Sequence, residues 1–197
     1  MNDIIFSKTF YIHKKRCPVN QEGGLIMEFL KLAEQRYSER AFDKSRVIEE
    51  EKLSKILEAG RLAPTACNFQ PQKVYVLKTE DSLWKAAKLT HTYDAPIVLL
   101  VCYDLNTVWK NSREEGYNAG EQDASIVATS MMFEAEDLGI HSIWLRGFNS
   151  KLVSEAFELP ENIKPVMMLA IGYPSESSTP SPRHSDRKPL ADTVEEL

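Results

Sequence analysis

The run APIVLLVCY, from Ala95 to Tyr103, is the most restrictive feature of this sequence. It is the longest strongly apolar run in the chain, yet a helix that crosses a bilayer needs about 20 such residues. A short apolar run that is rich in β-branched residues is typical of a strand buried on both faces. The fold must therefore contain a sheet that other elements cover.

Amphipathic segments and further apolar runs surround this strand. Helical periodicity predicts helices over about 27–37, 49–62, 79–89, 119–138 and 149–159, and composition predicts the remaining strands over 73–78, 141–146 and 165–173. Strands separated by helices indicate an α/β or α+β layer architecture. The segment after residue 174 is rich in Ser and Pro, which predicts that it is either disordered or laid over another surface.

Length, charge and cysteine content exclude several classes of protein. The chain has 197 residues and a formal net charge of −5. That length fits one domain, and the negative charge argues against a protein that binds nucleic acid. Three widely spaced cysteines form neither a disulfide framework nor a metal motif, which favours a reducing, cytoplasmic location.

Residues 1–26 differ from the rest of the chain because they show no helical periodicity, which begins at Met27. Two explanations fit this change equally well: translation starts naturally at Met27, or residues 1–26 form an accessory arm. The predicted organisation is an N-terminal extension of doubtful status over 1–26 and a single domain over 27–197. A C-terminal arm begins at about residue 174.

The common catalytic motifs are absent from the sequence. It contains neither GxxxxGK[ST] nor GxGxxG, and neither GxSxG nor HExxH. Cys67 is a conceivable catalytic thiol, but a lone cysteine is more often a small buried hydrophobe, and no nearby basic residue would lower its pKa. We predict no catalytic side chain and expect a cofactor to supply the reactive groups.

Three polar clusters could together bind one nucleotide-like ligand. The first is RYSER, Arg36 to Arg40, at the end of the first predicted helix. Its two arginines are four residues apart, which predicts that they share a helix face, and together with the serine they suit a phosphate. The second is APTACNFQPQ, over residues 63–72, where Thr65, Asn68 and Gln70 can both donate and accept hydrogen bonds. Taken alone, each cluster is a weak signal, and the arginines of the first are more often a solvated surface pair.

The third cluster is in the C-terminal arm, where Arg183, His184 and Arg187 add positive charge. Basic residues in a Ser/Pro-rich tail ordinarily only increase solubility. Cationic groups at both ends of the fold and an amide-bearing loop between them nevertheless match a nucleotide-like ligand. The cations suit its phosphate end, and the amides suit its polar ring edge.

Four segments carry a resemblance to a known family. RYSERAF, AGRLAPTACNFQPQ, ASIVATSMMFEAEDLGIHSIWLRGF and AIGYPSESSTPSPRHSDRKPL resemble, in this order, the FMN-dependent nitroreductase family. The resemblance covers about residues 27–192, and its patterns RxSxR and AP[ST]xxNxQP are fairly specific. It implies an α+β fold of three layers, with a central mixed, mainly antiparallel β-sheet flanked by helices, in a domain-interlocked homodimer.

The resemblance also implies an FMN site. The RxSxR segment would contact the phosphate, the ribityl chain or the pyrimidine edge, and the polar loop would reach the flavin from the other subunit. The arm would return to the phosphate through Arg187, with Arg183 or His184 as helpers. The implied cofactor-binding residues are Arg36, Tyr37, Ser38, Arg40, Pro64, Thr65, Ala66, Asn68, Gln70, Leu145, Arg146, Gly147 and Arg187.

Two positions depart from the family pattern. Gln72 stands where the family often has Trp, which affects the packing beneath the ring. Ser185 stands where a lysine often precedes the arginine of the arm, which affects the contacts of the arm with the phosphate.

The function implied is electron transfer from NADH or NADPH, by a ping-pong mechanism, to a nitroaromatic, quinone or similar small acceptor. The alternatives are a non-catalytic protein that binds or sequesters FMN, and another flavin reaction such as dehalogenation or flavin fragmentation.

The loop over residues 105–118 is the predicted lid. Trp109 and Tyr117 are its stacking groups, unless Trp109 only anchors the loop. The expected partners are a second copy of the chain and the small acceptor, with neither nucleic acid nor membrane.

Overall fold

A computed structural model describes residues 29–197, so both explanations for residues 1–26 lie outside the described residues. None of the helices in the described part is both long and apolar enough to span a bilayer. The helices are α1 (Phe29–Gln35), α2 (Glu50–Leu62), α3 (Glu80–Leu89), α4 (Gly120–Asp137) and α5 (Ser150–Ala156), and the strands are β1 (Gln72–Leu77), β2 (Ile97–Asp104), β3 (His141–Leu145) and β4 (Ile163–Gly172).

The strands form one sheet in the order β1-β2-β4-β3, and each neighbouring pair is antiparallel. The apolar run of the sequence is β2, which is buried and lies between β1 and β4. A parallel bridge between Ser38 and Ser142 adds the segment after α1 to the free edge of β3. The predicted α+β fold with a mixed, mainly antiparallel sheet is confirmed.

Helices cover both faces of the sheet. Successive residues of a strand point to opposite faces, and β2 shows the result. Leu99 belongs to an apolar cluster with Ile56 of α2 and Met131 of α4, whereas Leu100 belongs to a second cluster that includes Val153 of α5 and contacts from α3. Each fully buried side chain of this kind contributes roughly 1.5–3 kcal/mol to the hydrophobic stabilisation. The predicted three layers are therefore present.

Two predicted helices end earlier than the sequence suggested. Helix α1 ends at Gln35, because the next residues leave the helix and pair with β3 through Ser38. The prediction that Arg36 and Arg40 share a helix face is therefore wrong. Helix α5 ends at Ala156 because Glu158 adopts φ 51°, a left-handed conformation that a right-handed helix cannot contain.

The C-terminal arm pairs with the segment after α1. Phe42 and Pro174 form an antiparallel bridge, and the backbone N–H of Ser175 donates to the carbonyl of Ala41 at 2.8 Å. Farther along, Nε2 of His184 lies 2.9 Å from the carbonyl oxygen of Glu34. Up to His184 the arm is thus laid over another surface of the same chain, which is one of the two predicted alternatives.

Candidate functional site

The segment after α1 and the C-terminal arm enclose a cavity of about 430 Å³. The first and third polar clusters of the sequence meet there, although they lie at opposite ends of the described chain. The lining residues are Arg36, Tyr37, Ser38, Arg40, Ser181, Arg183, His184 and Arg187.

The local backbone explains why the first cluster points into this cavity. The segment after α1 is not helical, and its bridge to β3 at Ser38 holds it in an extended course. Arg36, Ser38 and Arg40 line the cavity together with Tyr37, whereas Glu39 points away from it and is 1% exposed. The extended segment, and not the predicted helix, brings the two arginines to one cavity.

The cavity is strongly cationic. Within residues 29–197, none of its arginines forms a salt bridge. Their side-chain hydrogen bonds go to backbone carbonyls: Nη1 of Arg40 donates to Ser38 at 3.1 Å, and Nη1 of Arg187 donates to Asp186 at 2.8 Å. Guanidinium groups with unused N–H donors are suited to the oxygens of a phosphate.

A buried carboxylate lies behind the cavity. Oε1 of Glu39 accepts from the backbone N–H groups of Arg40 and Ala41, each at 2.8 Å. Its Oε2 accepts from Oγ of Ser178 at 2.6 Å and lies 3.0 Å from Nδ1 of His141. Burial by itself would raise the pKa of Glu39, but these hydrogen bonds, that from Ser178 first, outweigh it and hold the pKa below its ordinary value.

Tyr37 belongs to the same network. Its hydroxyl lies 2.8 Å from Oγ of Ser178, and the edge of its ring meets the ring of His141 with 4.9 Å between centroids. Burial is the main cause that raises the pKa of Tyr37, so its phenol stays neutral near pH 7. The contact with the cofactor that the resemblance implies for Tyr37 stays a prediction.

Sequence reasoning missed Glu39, Ser178 and Ser181. An acidic residue between the arginines of RYSER was a signal for Glu39, because nothing in a phosphate motif calls for a carboxylate. The two serines gave no signal, since they stand among several serines of the arm.

The polar loop between α2 and β1 has an unusual backbone. Cys67, Asn68 and Gln70 adopt φ of 50°, 56° and 50°. Left-handed conformations of residues other than glycine cost roughly 1–3 kcal/mol each and occur preferentially at ligand sites. The loop is closed by Thr65, whose Oγ1 accepts from the backbone N–H of Gln70 at 3.0 Å. Pro64, together with Asn68 and Gln70, is exposed, so the loop presents its amide side chains outward.

The loop and the cavity lie at opposite ends of α4. The backbone N–H of Ala66 donates to Oδ1 of Asp123, near the start of the helix, at 2.9 Å. Glu136, near its end, interacts electrostatically with Arg36. At 1.5 Å per residue, the two ends are about 20 Å apart. Within one chain, the structure therefore brings together the first and third clusters but not the second.

Leu145, Arg146 and Gly147 lie where β3 ends. Leu145 is buried, and the next two residues are exposed. The guanidinium of Arg146 lies 5.0 Å from the centroid of the Phe148 ring. Ser142, which is bridged to Ser38, precedes Leu145 by three residues, or about 10 Å of strand. The bridge to the segment after α1 is therefore near the start of β3, and Leu145, Arg146 and Gly147 follow at its other end.

The loop predicted to be a lid is held by contacts within the loop and by a hydrogen bond to α4. The rings of Trp109 and Tyr117 are nearly perpendicular, at 81°, with centroids 6.5 Å apart. Nε2 of Gln122 donates to the Tyr117 hydroxyl at 2.9 Å. Trp109 is half-buried, as a residue that anchors the loop would be, and its role as a stacking group stays a prediction.

Comparisons with known proteins agree with these features. Residues 33–91 and 78–173 match the model of the Nitroreductase family. The FMN reductase [NAD(P)H] of Bacillus subtilis strain 168 is 28% identical over 155 residues, which are 69% of this chain and 62% of that protein. A protein of Archaeoglobus fulgidus, provisionally named NADH dehydrogenase/NAD(P)H nitroreductase, is 31% identical over 158 residues, which are 76% of this chain and 87% of that protein.

Solved structures show the same fold. A nitroreductase family protein from Clostridium difficile 630 superposes with a TM-score of 0.80 at 39% identity, over 86% of this chain and 98% of that one. A provisionally named nitroreductase from Exiguobacterium sibiricum 255-15, in complex with FMN, gives 0.72 at 22% identity over 87% and 98%. These matches confirm the resemblance seen in the four sequence segments. The chain belongs to the nitroreductase family.

Proposed function

We propose that this chain is an FMN-dependent oxidoreductase that takes electrons from NADH or NADPH. The cationic cavity carries the proposal, because its arginines repel one another unless an anion lies between them, and the FMN phosphate is such an anion. The same cofactor is supported by the B. subtilis relative, named FMN reductase [NAD(P)H], and by the FMN complex from E. sibiricum.

The residues present fit the phosphate end of FMN. Arg36, Ser38 and Arg40 would bind it from one side, and Arg187 would approach from the arm, with Arg183 or His184 beside it. The backbone from Leu145 to Gly147 would then run beneath the ring. Cationic and N–H donors near the ring would stabilise the negative charge gained on reduction, which is an electrostatic role.

We propose a homodimer in which the polar loop completes the partner's site. The loop and the cavity of one chain lie at opposite ends of α4, whose ends are about 20 Å apart, so a second copy would bring Pro64, Thr65, Ala66, Asn68 and Gln70 to the same ligand. Exposed apolar side chains on α1 and α4 support an interface between the two copies. Leu30 of α1 is 76% exposed and Ile126 of α4 is 41% exposed.

FMN, when bound, supplies a ring that accepts a hydride and passes electrons to a second substrate. The residues of the chain would bind and orient it, and no side chain is assigned as an acid or a base. Because donor and acceptor would use the same exposed ring face in turn, the proposed kinetics are ping-pong. The proposed acceptor is a nitroaromatic, quinone or similar small planar molecule, held between the ring and the loop that carries Trp109 and Tyr117.

The test is an absorbance spectrum after FMN reconstitution and dialysis, followed by anaerobic titration with NADH and then with NADPH. We expect a bound flavin peak that one of the donors bleaches and that an added quinone restores. A variant with Arg36 and Arg40 both changed to Ala should lose the peak. Arg61→Ala, an exposed arginine on α2, is the matched control and should keep it.

Two results would contradict the proposal. A flavin that stays bound and yellow with both donors would indicate a sequestering protein. Protein that leaves dialysis colourless would mean that the cavity does not bind FMN.

A further inference from the structure

Glu39 is a buried charge whose hydrogen bonds come from three separate parts of the fold. Its donors are backbone groups of its own segment, His141 on β3 and Ser178 on the C-terminal arm. Glu39 and Ser178 are 139 positions apart in sequence. A buried carboxylate is costly unless donors surround it, so these contacts hold the three parts in a fixed arrangement.

The direction of the hydrogen bonds places Ser178 at the centre of this arrangement. A serine hydroxyl has one proton, and that of Ser178 is donated to Oε2 of Glu39. The Tyr37 hydroxyl, 2.8 Å from the same Oγ, must therefore be the donor of its pair. The resulting chain of hydrogen bonds runs from Tyr37 through Ser178 to Glu39. It connects the arm to the segment over residues 36–40, just before the arm reaches the cavity at Ser181.

The carboxylate of Glu39 is stabilised without any arginine side chain of the cavity. Among the described residues, the imidazole of His141 is the one basic side chain within salt-bridge distance of it, and the Arg40 guanidinium donates to a carbonyl instead. The carboxylate thus fixes the arm while the guanidinium groups keep their donors for a ligand. A carboxylate that faced the cavity would have neutralised them.

We propose that Glu39 is a positioning residue for anion binding. Through Ser178 it holds the arm so that Arg183, His184 and Arg187 face Arg36 and Arg40 across the cavity. The inference rests on the proposed function only for the identity of the anion, which is there the phosphate of FMN.

The experiment compares FMN with riboflavin, which lacks the phosphate. Dissociation constants for both flavins are measured by fluorescence quenching on the full chain and on Glu39→Gln and Ser178→Ala. Ser178→Ala removes the link to the arm without changing a buried charge, so it tests the proposal even where Glu39→Gln folds poorly. Ser177→Ala is the matched control, because Ser177 is an exposed serine of the same arm whose hydroxyl, within residues 29–197, forms a hydrogen bond with Ser175 alone.

We expect Glu39→Gln and Ser178→Ala to weaken FMN binding at least about tenfold, as loss of charge-assisted contacts does. Riboflavin binding should not change, and Ser177→Ala should bind both flavins normally. Unchanged FMN affinity in Ser178→Ala would overturn the proposal. An equal loss for both flavins would also overturn it, because that would indicate general damage to the fold.

A second readout separates this proposal from the proposed function. If the unmodified chain binds neither flavin, trypsin cleavage in the arm is followed with and without inorganic pyrophosphate. Protection by pyrophosphate that is present in the unmodified chain and lost in Ser178→Ala would support the positioning role. Equal protection in the two proteins, or none in the unmodified chain, would refute it.

Discussion

The backbone amide of Ala66 donates a hydrogen bond to the carboxylate of Asp123 at 2.9 Å, and this contact fastens the polar loop to the first turns of α4. Asp123 is 2% exposed, and its other oxygen has no hydrogen-bond partner among the described residues. Asp123 therefore holds a strained loop that, in the proposed dimer, serves the site of the partner.

Replacing Asp123 should loosen this loop. Asp123→Ala leaves the Ala66 N–H without an acceptor, so we expect the free energy of unfolding to fall by about 1–3 kcal/mol. Asp123→Asn keeps an oxygen acceptor and is the control, with a smaller loss. Urea denaturation measures both. Equal stability of Asp123→Ala and the unmodified chain would show that the contact does not hold the loop.

Loss of one arginine from the cavity should weaken FMN selectively. Arg40→Ala removes a charge-assisted contact to the phosphate, for which we expect a dissociation constant about 10- to 100-fold higher. Riboflavin binding should be unaffected, since riboflavin has no phosphate. Arg61→Ala on α2 is the control, and its salt bridge with Glu58 is exposed and contributes little. An FMN affinity unchanged in Arg40→Ala would place the phosphate elsewhere.

Mixed dimers can show whether the polar loop acts on the partner. One chain carries Arg36→Ala and Arg40→Ala, the other carries Asn68→Ala and Gln70→Ala, and two affinity tags isolate only the mixed dimer. If each site combines the cavity of one chain with the loop of the other, one site is doubly defective and one is intact. We therefore expect about one tightly bound FMN per dimer. No tightly bound FMN would mean that loop and cavity of the same chain form the site.

The contribution of Glu39 to stability should depend on pH with a definite sign. Because its pKa in the folded state is lowered, its carboxylate stabilises the fold above the ordinary value of 4.5, and this is lost as pH falls through the folded value. We expect the difference in unfolding free energy between the unmodified chain and Glu39→Gln to be constant near neutral pH and to shrink below about pH 4.5.

A His141→Asn background controls for the imidazole that faces Glu39, because it removes the titration of that ring from both proteins. Denaturation at several pH values measures the difference. A difference that grows on acidification would have the wrong sign for a carboxylate held by hydrogen-bond donors.

Cys67 offers a test of the thiol alternative. It is exposed and its φ is 50°, so Cys67→Gly relieves backbone strain, and we expect a gain in unfolding free energy of up to about 1 kcal/mol. Reduction of bound FMN by NADH or NADPH should be retained. Cys102 could not replace a lost thiol, because it is buried and burial raises its pKa to about 12. A Cys67→Gly variant that no longer oxidises NADH or NADPH would instead support the hypothesis that Cys67 is a catalytic thiol.

The sheet could be predicted from the sequence because its signal is local. The strand of Leu99 and Leu100 is apolar on both faces, and a run of that length rich in β-branched residues is typical of a buried strand. The start of α3 was also predictable locally, since Thr79, the first residue of the predicted helix, accepts from the backbone N–H of Ser82 three residues later.

The polar network was not predictable because it depends on long-range contacts. The buried carboxylate of Glu39 contacts Ser178 and His141, which are distant from it in the sequence. A local sequence pattern does not predict contacts between residues so far apart. The sequence grouped Arg36 and Arg40 through a helical period, whereas they line one cavity from the extended segment that follows the end of α1. Nor could the sequence show that Ala66 is anchored on Asp123.

The residues that line the cavity lie in two segments, after α1 and in the C-terminal arm, and the ribosome makes these segments at very different times. The sheet is complete once Gly172 has been made, but the cationic cavity cannot exist before synthesis has passed Arg187. If domains fold as their last element emerges, the chain acquires its core first and its affinity for phosphate afterwards. Polypeptides that stop between these two points would lack the cationic cavity, so bound FMN would mark the molecules whose translation continued through the arm.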